Sequence, residues 1–320
     1  MKKIIQNYSQ SAFNRQAVIV LILLINILSC CNHSYAYPIY AQQAYENPRE
    51  ATGRIVCANC HLVQKKVSID APKSVLPNTV FEARVNLPYN INDKQILGNG
   101  SKGPLNVGAV LVLPEGFKLA PKNKIPDSIK QKTKGLYFSQ YSKKYENILV
   151  IGPVPGNKNQ EIIFPILSPD PKTSKNINFL KYPIYVGGNR GRGQLYPTGD
   201  KSNNNVITSP IKGQVSQIVN LEKGGYQVTV KNDKDDPITQ TVPLGISLTV
   251  QEGQKVNIDD NLTTDPNAGG FGQAEGEIVL QSPRRVIFFI GFSTTMLVAQ
   301  VSFVLKKKQF EKVQAAEMNF

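Results

Sequence analysis

Five consecutive residues, Cys57-Ala58-Asn59-Cys60-His61, restrict this chain more than anything else in it. They spell Cys-x-x-Cys-His. At that spacing two thiols can form thioethers with the two vinyl groups of a haem, and the adjacent imidazole can ligate the iron from one face. Two covalent anchors so close to the ligand fix the ring against the backbone, with Ala58 and Asn59 as spacers. A bare Cys-x-x-Cys would also suit a redox disulfide or half of a zinc site. The following His favours haem, because a dithiol motif has no need of it. A zinc ion would lack ligands: the other cysteines and the other histidine are Cys30, Cys31 and His33, and all three fall in what reads as a leader.

That leader opens with Lys2, Lys3 and Arg15, continues through an apolar run from Ala17 to Leu28, and ends in Ser34-Tyr35-Ala36. The run is short for a bilayer span and suits a signal peptide over residues 1–36, cleaved after Ala36 to free Tyr37. Ile27-Leu28-Ser29-Cys30 is a looser, lipoprotein-like alternative that would leave no free amine at Tyr37. Processing matters for the iron. The usual second ligand is a His or a Met thioether, yet the methionines are Met1, Met296 and Met318, none in the expected soluble body. A Lys amine, a Tyr oxygen, water or the new N-terminal amine remain. An α-amine costs about 3–4 kcal/mol less to deprotonate at neutral pH than a Lys amine, which favours Tyr37.

Between the leader and residue 283 the signals are for strands. Thr79–Val85, Ala109–Leu113, Ile148–Ile151 and Ile162–Ile166 are short apolar or alternating runs punctuated by Gly, Pro and Asn. This pattern favours a mainly β antiparallel sandwich over a helical bundle. Cys57–Lys65 is expected as a short helix. Val215–Val219 and Tyr226–Val230 flank the turn signal Glu222-Lys223-Gly224-Gly225, and Ile246–Val250 follows as a third short strand. With Lys201–Asn205 and Asp265–Gly270 as linkers, residues 205–266 form a small inserted all-β domain. Residues 37–204 and 267–283 form the large one, whose last strand is Gly276–Leu280.

Val286–Leu305 is twenty residues without a charge, followed at once by Lys306-Lys307-Lys308. At 1.5 Å per residue it covers ~30 Å, one hydrocarbon core, and the lysines mark the cytoplasm-like side. The expected transmembrane helix is 284–305, with a short tail, 306–320, whose residues from 309 form a small exposed helix. The formal charge is +14; the leader holds three of these charges and the residues from Arg284 onward a net four, leaving +7 on the exported body. That excess suits acidic partners or surfaces. Export and the lack of a dense basic stripe argue against nucleic acid.

From these residues two function classes stay open. One is a membrane-anchored electron carrier with both axial positions filled by protein. The other is a haem sensor or peroxidase-like enzyme with an open sixth position.

The run Tyr37-Pro38-Ile39-Tyr40-Ala41, then Asn47 to Leu62 through the Cys-x-x-Cys-His motif, resembles the N-terminal part of the cytochrome f family, and the resemblance extends over essentially the whole chain. It implies the haem-bearing subunit of the photosynthetic cytochrome b6f complex. The implied fold is a fibronectin-like sandwich with a small domain resembling a lipoyl-carrier hybrid fold. The implied cofactor is one covalent haem c on Cys57 and Cys60, with His61 and the Tyr37 amine as axial ligands. Tyr40, Pro153, Tyr196 and Pro197 are implied beside the ring. Gln95, Asn189, Gln194, Asn204 and Asn267 match a buried water chain. Lys94, Lys102 and Lys223 match docking lysines, while two further basic positions of that pattern are Ser101 and Leu221 here. The implied partners are the Rieske iron–sulfur protein as donor, plastocyanin or a soluble c-type cytochrome as acceptor, and cytochrome b6 with other subunits. The implied location is the thylakoid membrane of a plastid, with the large domain in the lumen and the C-terminus in the stroma. The role is electron transfer within a larger complex rather than enzymatic.

Overall fold

The computed structural model describes residues 39–174, 176–232 and 236–318. The expected leader, residues 1–36, and Tyr37 lie outside the described residues. The chain divides into two compact units, residues 1–36 and residues 37–320, and every described residue belongs to the second.

Two sheets make a sandwich. Strands are numbered β1 to β16 along the described chain. One sheet has the order β1 (Ser68–Asp70), β3 (Val80–Asn86), β10 (Glu161–Leu167), β7 (Lys118–Leu119). The other runs β2 (Ser74–Val75), β16 (Gly270–Leu280), β11 (Lys181–Arg190), β6 (Asn106–Val112), β9 (Tyr145–Pro155), β8 (Ser139–Ser142). Pairing is antiparallel except where the edge strand β2 lies parallel to β16. In β3 the alternation buries Phe81, Ala83 and Val85, because side chains of a strand point to opposite faces. These meet Leu111, Leu149, Ile162, Phe164, Ile184 and Ile278 in one apolar cluster between the sheets.

The six-stranded sheet is apolar on its other face too. There Val110, Ile148, Val150, Tyr141 and Phe271 pack with Ile55. This is why Ala109–Leu113 reads as a continuous apolar run and not an alternating one: β6 is buried on both sides. The second face carries the functional site.

Strands β11 and β16 pair directly, from Lys181 opposite Val279 to Arg190 opposite Gly270. The chain between them forms a further sheet, ordered β14 (Ile238–Val242), β13 (Tyr226–Lys231), β12 (Gly213–Asn220), β15 (Lys255–Val256). Strand β12 carries a bulge between Val215 and Gln217, which breaks its alternation. Its core includes Val215, Val228, Val230 and Val242, and also Ile96. Ile96 comes from a separate hairpin, β4 (Lys94–Ile96) and β5 (Lys102–Pro104), which plugs into the small sheet.

Four local expectations change. Ile246–Val250 is not a strand; it makes one bridge, Leu248 with Thr263, while Ile238–Val242 takes the place beside β13. The motif region is a single 3-10 turn, Val56–Asn59, not a helix to Lys65, because Lys65 instead donates its amide to Phe271 O at 2.8 Å. Lys201–Asn205 is no slack linker: Asn204 is 1 % exposed and donates to Arg192 O. The tail is helical and exposed as expected, but as the continuation of one helix that runs unbroken from Pro283 to Glu317, 35 residues.

That helix starts on Ser282, whose hydroxyl accepts from the Arg285 amide, with Pro283 in the first turn. None of its residues is buried, and its apolar window has a mean hydropathy of 1.9. Thr294 and Thr295 donate to the carbonyls of Ile290 and Gly291, each at 2.9 Å. Their hydroxyls are thus satisfied within the helix, which removes most of the cost of placing them in lipid.

Candidate functional site

A tight turn leads into the motif. Arg49 bridges to Ile55, Gly53 supplies a φ of 87°, and Val56 donates to Pro48 O. Ile55 and Val56 are buried, and the Ile55 amide donates to Gln273 Oε1 at 3.0 Å on β16. The 3-10 turn then wraps back, with the Cys60 and His61 amides both donating to Cys57 O. One turn of backbone thereby gathers two thiols and an imidazole.

Residues 193–195 close over this turn. Gln194 and Leu195 donate to Cys60 O at 2.7 and 3.3 Å, and the Leu62 amide donates to Gln194 Oε1 at 2.9 Å. A Cβ on Gly193 would lie 3.1 Å from Cys60 O, so a side chain there would press the two backbones a few tenths of an ångström apart. Asn59 is more than a spacer. It donates to Tyr45 Oη at 3.1 Å and accepts from Arg54, tying the motif to the segment before it.

Cys57, Cys60 and His61 line one cavity of about 420 Å³, inside the range of small-molecule sites, roughly 300–1,000 Å³. The same cavity is lined by Tyr40, Pro153, Tyr196, Pro197, Gln95 and Asn189. Tyr40 and Tyr196 meet edge to face at its mouth, centroids 6.4 Å apart. Asn189 Nδ2 sits 3.3 Å from His61 Nε2.

Burial lowers the His61 pKa to about 4, so the imidazole is neutral, and because the Asn189 amide nitrogen can only donate, the lone pair lies on Nε2. Its Nδ1 is sealed from solvent without a partner. Burial pushes the Cys57 thiol up to about 12 and raises Cys60 as well. Both thiols are therefore neutral here, whereas a metal cage would hold them as thiolates, and among the described residues no group of three or more His, Cys, Asp or Glu is gathered for a bare ion. This donor set, on one turn against a mostly apolar cavity, fits haem c.

The expected water-chain residues divide. Gln95 and Asn189 line the cavity, and Gln194 bonds the motif. Asn204 donates to Asn267 Oδ1 at 3.2 Å, further out. Gln95 Oε1, Gln194 Nε2 and Asn204 Oδ1 are each sealed from solvent with no protein partner. Lys94 and Lys102 are exposed on the β4–β5 hairpin. Lys223 lines a second, polar hollow of about 370 Å³ together with the hairpin's loop residues Gly98 to Gly100. Arg192, Tyr196 and Ser202 line both hollow and cavity, which puts Lys223 near the cavity mouth.

Two further residues carried no signal in the sequence. Tyr141 is 4 % exposed and holds the helix Ile39–Ala44 against the six-stranded sheet. Burial raises its phenol above the ordinary value, so it remains a donor. Arg190 is wholly buried; Nη2 donates to Lys66 O, while Nε and Nη1 have no partner.

A β-sandwich offering this haem site on one face, continued by an exposed apolar helix, defines a membrane-anchored c-type cytochrome of electron transfer. Two family models cover the chain: Apocytochrome F, N-terminal, over residues 37–191, and Apocytochrome F, C-terminal, over residues 203–320. Cytochrome f of Porphyra purpurea is 63% identical over 302 residues, covering 94% of each chain. Cytochrome f of Cyanidium caldarium is 59% identical over 318 residues, covering 99% of this chain and 97% of its own. That of Pinus thunbergii is 58% identical over 303 residues, 94% and 95%. The chain belongs to the cytochrome f family. It is an electron-transfer subunit and not an enzyme in itself.

Proposed function

We propose that the chain carries one haem c: Cys57 and Cys60 would hold it through thioethers, and His61 and the Tyr37 amine would ligate its iron. The carrying observation is the single turn that presents two neutral thiols and a neutral imidazole to one cavity. The Tyr37 part is supported by the N-terminal family model, which begins at residue 37, and by the helix Ile39–Ala44, which starts two residues later and places Tyr40 in the cavity wall.

Haem bound there supplies a one-electron couple at its iron. The chain's own residues do the rest. His61 stays neutral through burial. Pro153, Tyr40 and Tyr196 screen the ring from water. The unpartnered amide atoms of Gln95, Gln194 and Asn204 offer sites for bound water leading away from His61. Lys94, Lys102 and Lys223 steer an acidic carrier to the cavity mouth.

As a member of its family the chain serves photosynthetic electron transport in the cytochrome b6f complex. It takes electrons from the Rieske iron–sulfur protein, gives them to plastocyanin or a soluble c-type cytochrome, and sits beside cytochrome b6. The helix Pro283–Glu317 crosses the thylakoid membrane once, the sandwich lying in the lumen and Lys306 to Lys308 on the stromal side.

The test is N-terminal sequencing and carbon monoxide exposure of the reduced, purified protein. A terminus at Tyr37 and resistance to carbon monoxide are expected. Rapid, complete binding would instead favour the sensor or peroxidase-like reading.

A further inference from the structure

The helix Ile39–Ala44 has six residues, too few to persist without tertiary support. Its polar support comes largely from one buried side chain. Tyr141 Oη lies 2.7 Å from Ala41 O and 2.6 Å from Tyr45 O. The phenol has a single proton, shared between these two carbonyls at the helix end. Ala41 O also accepts from the Tyr45 amide, whereas Tyr45 O lies beyond the helix's own ladder. The link is reciprocal: Gln42 Nε2 donates to Tyr141 O at 2.8 Å. Tyr141 stands on β8, fixed by the pairing of Ser139 with Val150 and Gln140 with Leu149. Its ring packs in the cluster that also holds Ala41, Cys57 and Ala58. One residue therefore bonds the segment leading from Tyr37 and shares a packing cluster with the turn bearing the thiols.

We infer that Tyr141 is the positioning residue for the axial amine: its phenol clamps the Ile39–Ala44 helix so that the chain's N-terminus is held at the iron. This rests on the reading of the Tyr37 amine as sixth ligand. The clamp raises the effective concentration of the amine at the metal, and without it the sixth position opens more often. The hydroxyl is the working part; the ring alone fills the cluster.

The experiment compares four forms of the holoprotein in detergent. They are the mature chain, Tyr141→Phe, Gln42→Ala, and the mature chain with one residue added before Tyr37. Apparent carbon monoxide affinity of the reduced haem is read from the visible spectrum, and amide exchange over Ile39–Tyr45 from mass spectrometry. Tyr141→Phe should raise carbon monoxide affinity about tenfold, the factor expected for losing one buried hydrogen bond, and speed exchange in that segment. Gln42→Ala, which removes the reciprocal bond without touching the cluster, should move both readouts in the same direction. If the extended terminus admits carbon monoxide but Tyr141→Phe resists it as the mature chain does, the clamp is refuted while amine ligation stands. If the extended terminus also resists, amine ligation itself fails.

Discussion

Two glycines on the same strand should respond to alanine in opposite ways. In β16, a Cβ on Gly272 would lie 1.9 Å from Lys65 O and 2.9 Å from Val67 Cγ2. A carbon–oxygen contact needs about 3.3 Å, so the chain at Lys65 must retreat by about 1.4 Å. That retreat breaks the bonds Phe271 N to Val63 O and Lys65 N to Phe271 O, each 2.8 Å. Each is worth about 1 kcal/mol net, and a polar group left buried costs about 1–3 kcal/mol. Alanine returns only about 0.5–1 kcal/mol of backbone entropy. Gly272→Ala should therefore destabilise by about 2–4 kcal/mol. At Gly276 the nearest atom is Ile69 Cγ2 at 3.2 Å, a methyl on a half-buried side chain that can yield a few tenths of an ångström. Gly276→Ala should lie within about 0.5 kcal/mol of the parent or stabilise it. The chain has no Trp, so urea unfolding is best followed by circular dichroism in the β region. Equal midpoints for the two variants would refute the account of how the chain leaving His61 is laid on β16.

Acid should weaken the sandwich through Glu82. A hydrogen bond from Lys132, assisted by Arg84 against the opposing effect of burial, holds this carboxyl below its ordinary 4.5. A carboxylate depressed in the folded state contributes above 4.5 and loses that contribution as pH falls through its folded value. Urea midpoints should drop with acid from about pH 4.5 downward, and Glu82→Gln should flatten that part of the profile. For docking, changing Lys94, Lys102 and Lys223 together to Gln should slow electron transfer to an acidic carrier severalfold at low salt. The difference should shrink at high salt, as stopped-flow rates would show; equal slowing at both would remove steering.

Much of the fold could be read from the chain because strands announce themselves locally. β3 alternates, and Glu222-Lys223-Gly224-Gly225 forms the turn it spells, with Gly224 and Gly225 at φ 82° and 95°. What misled were segments whose state is decided by a distant partner. Ile246–Val250 has strand-like residues, but Thr249 finds its bond at Leu262 O and no ladder forms. Ile238-Thr239-Gln240-Thr241-Val242 carries a Gln where an alternating strand would have an apolar residue, yet it does pair, with β13. The Cys57 to His61 motif stands out because the attachment proposed for it would demand that fixed spacing. Tyr141 does not, since its partners lie 96 and 100 residues away.

Helical wrapping offers one way to enclose a ring locally, but a sandwich must assemble the cavity from segments far apart in the chain. Three approach it here: the helix Ile39–Ala44 from the N-terminal side, the turn Val56–Asn59, and residues 193–195 beyond β11. Each is anchored to the six-stranded sheet or to another by side-chain-to-backbone bonds: Tyr141 to Ala41 O, Ile55 N to Gln273 Oε1, Leu62 N to Gln194 Oε1. Such bonds join residues 100 or more apart in the chain, a closure cost that the pairing of the sheet strands already meets. The sandwich is therefore the template and the site its dependent. A change in the outer face of β6, β9 or β16 should reach Cys57, Cys60 and His61 before it reaches the core between the sheets, because Val110, Val150 and Phe271 line the same cavity.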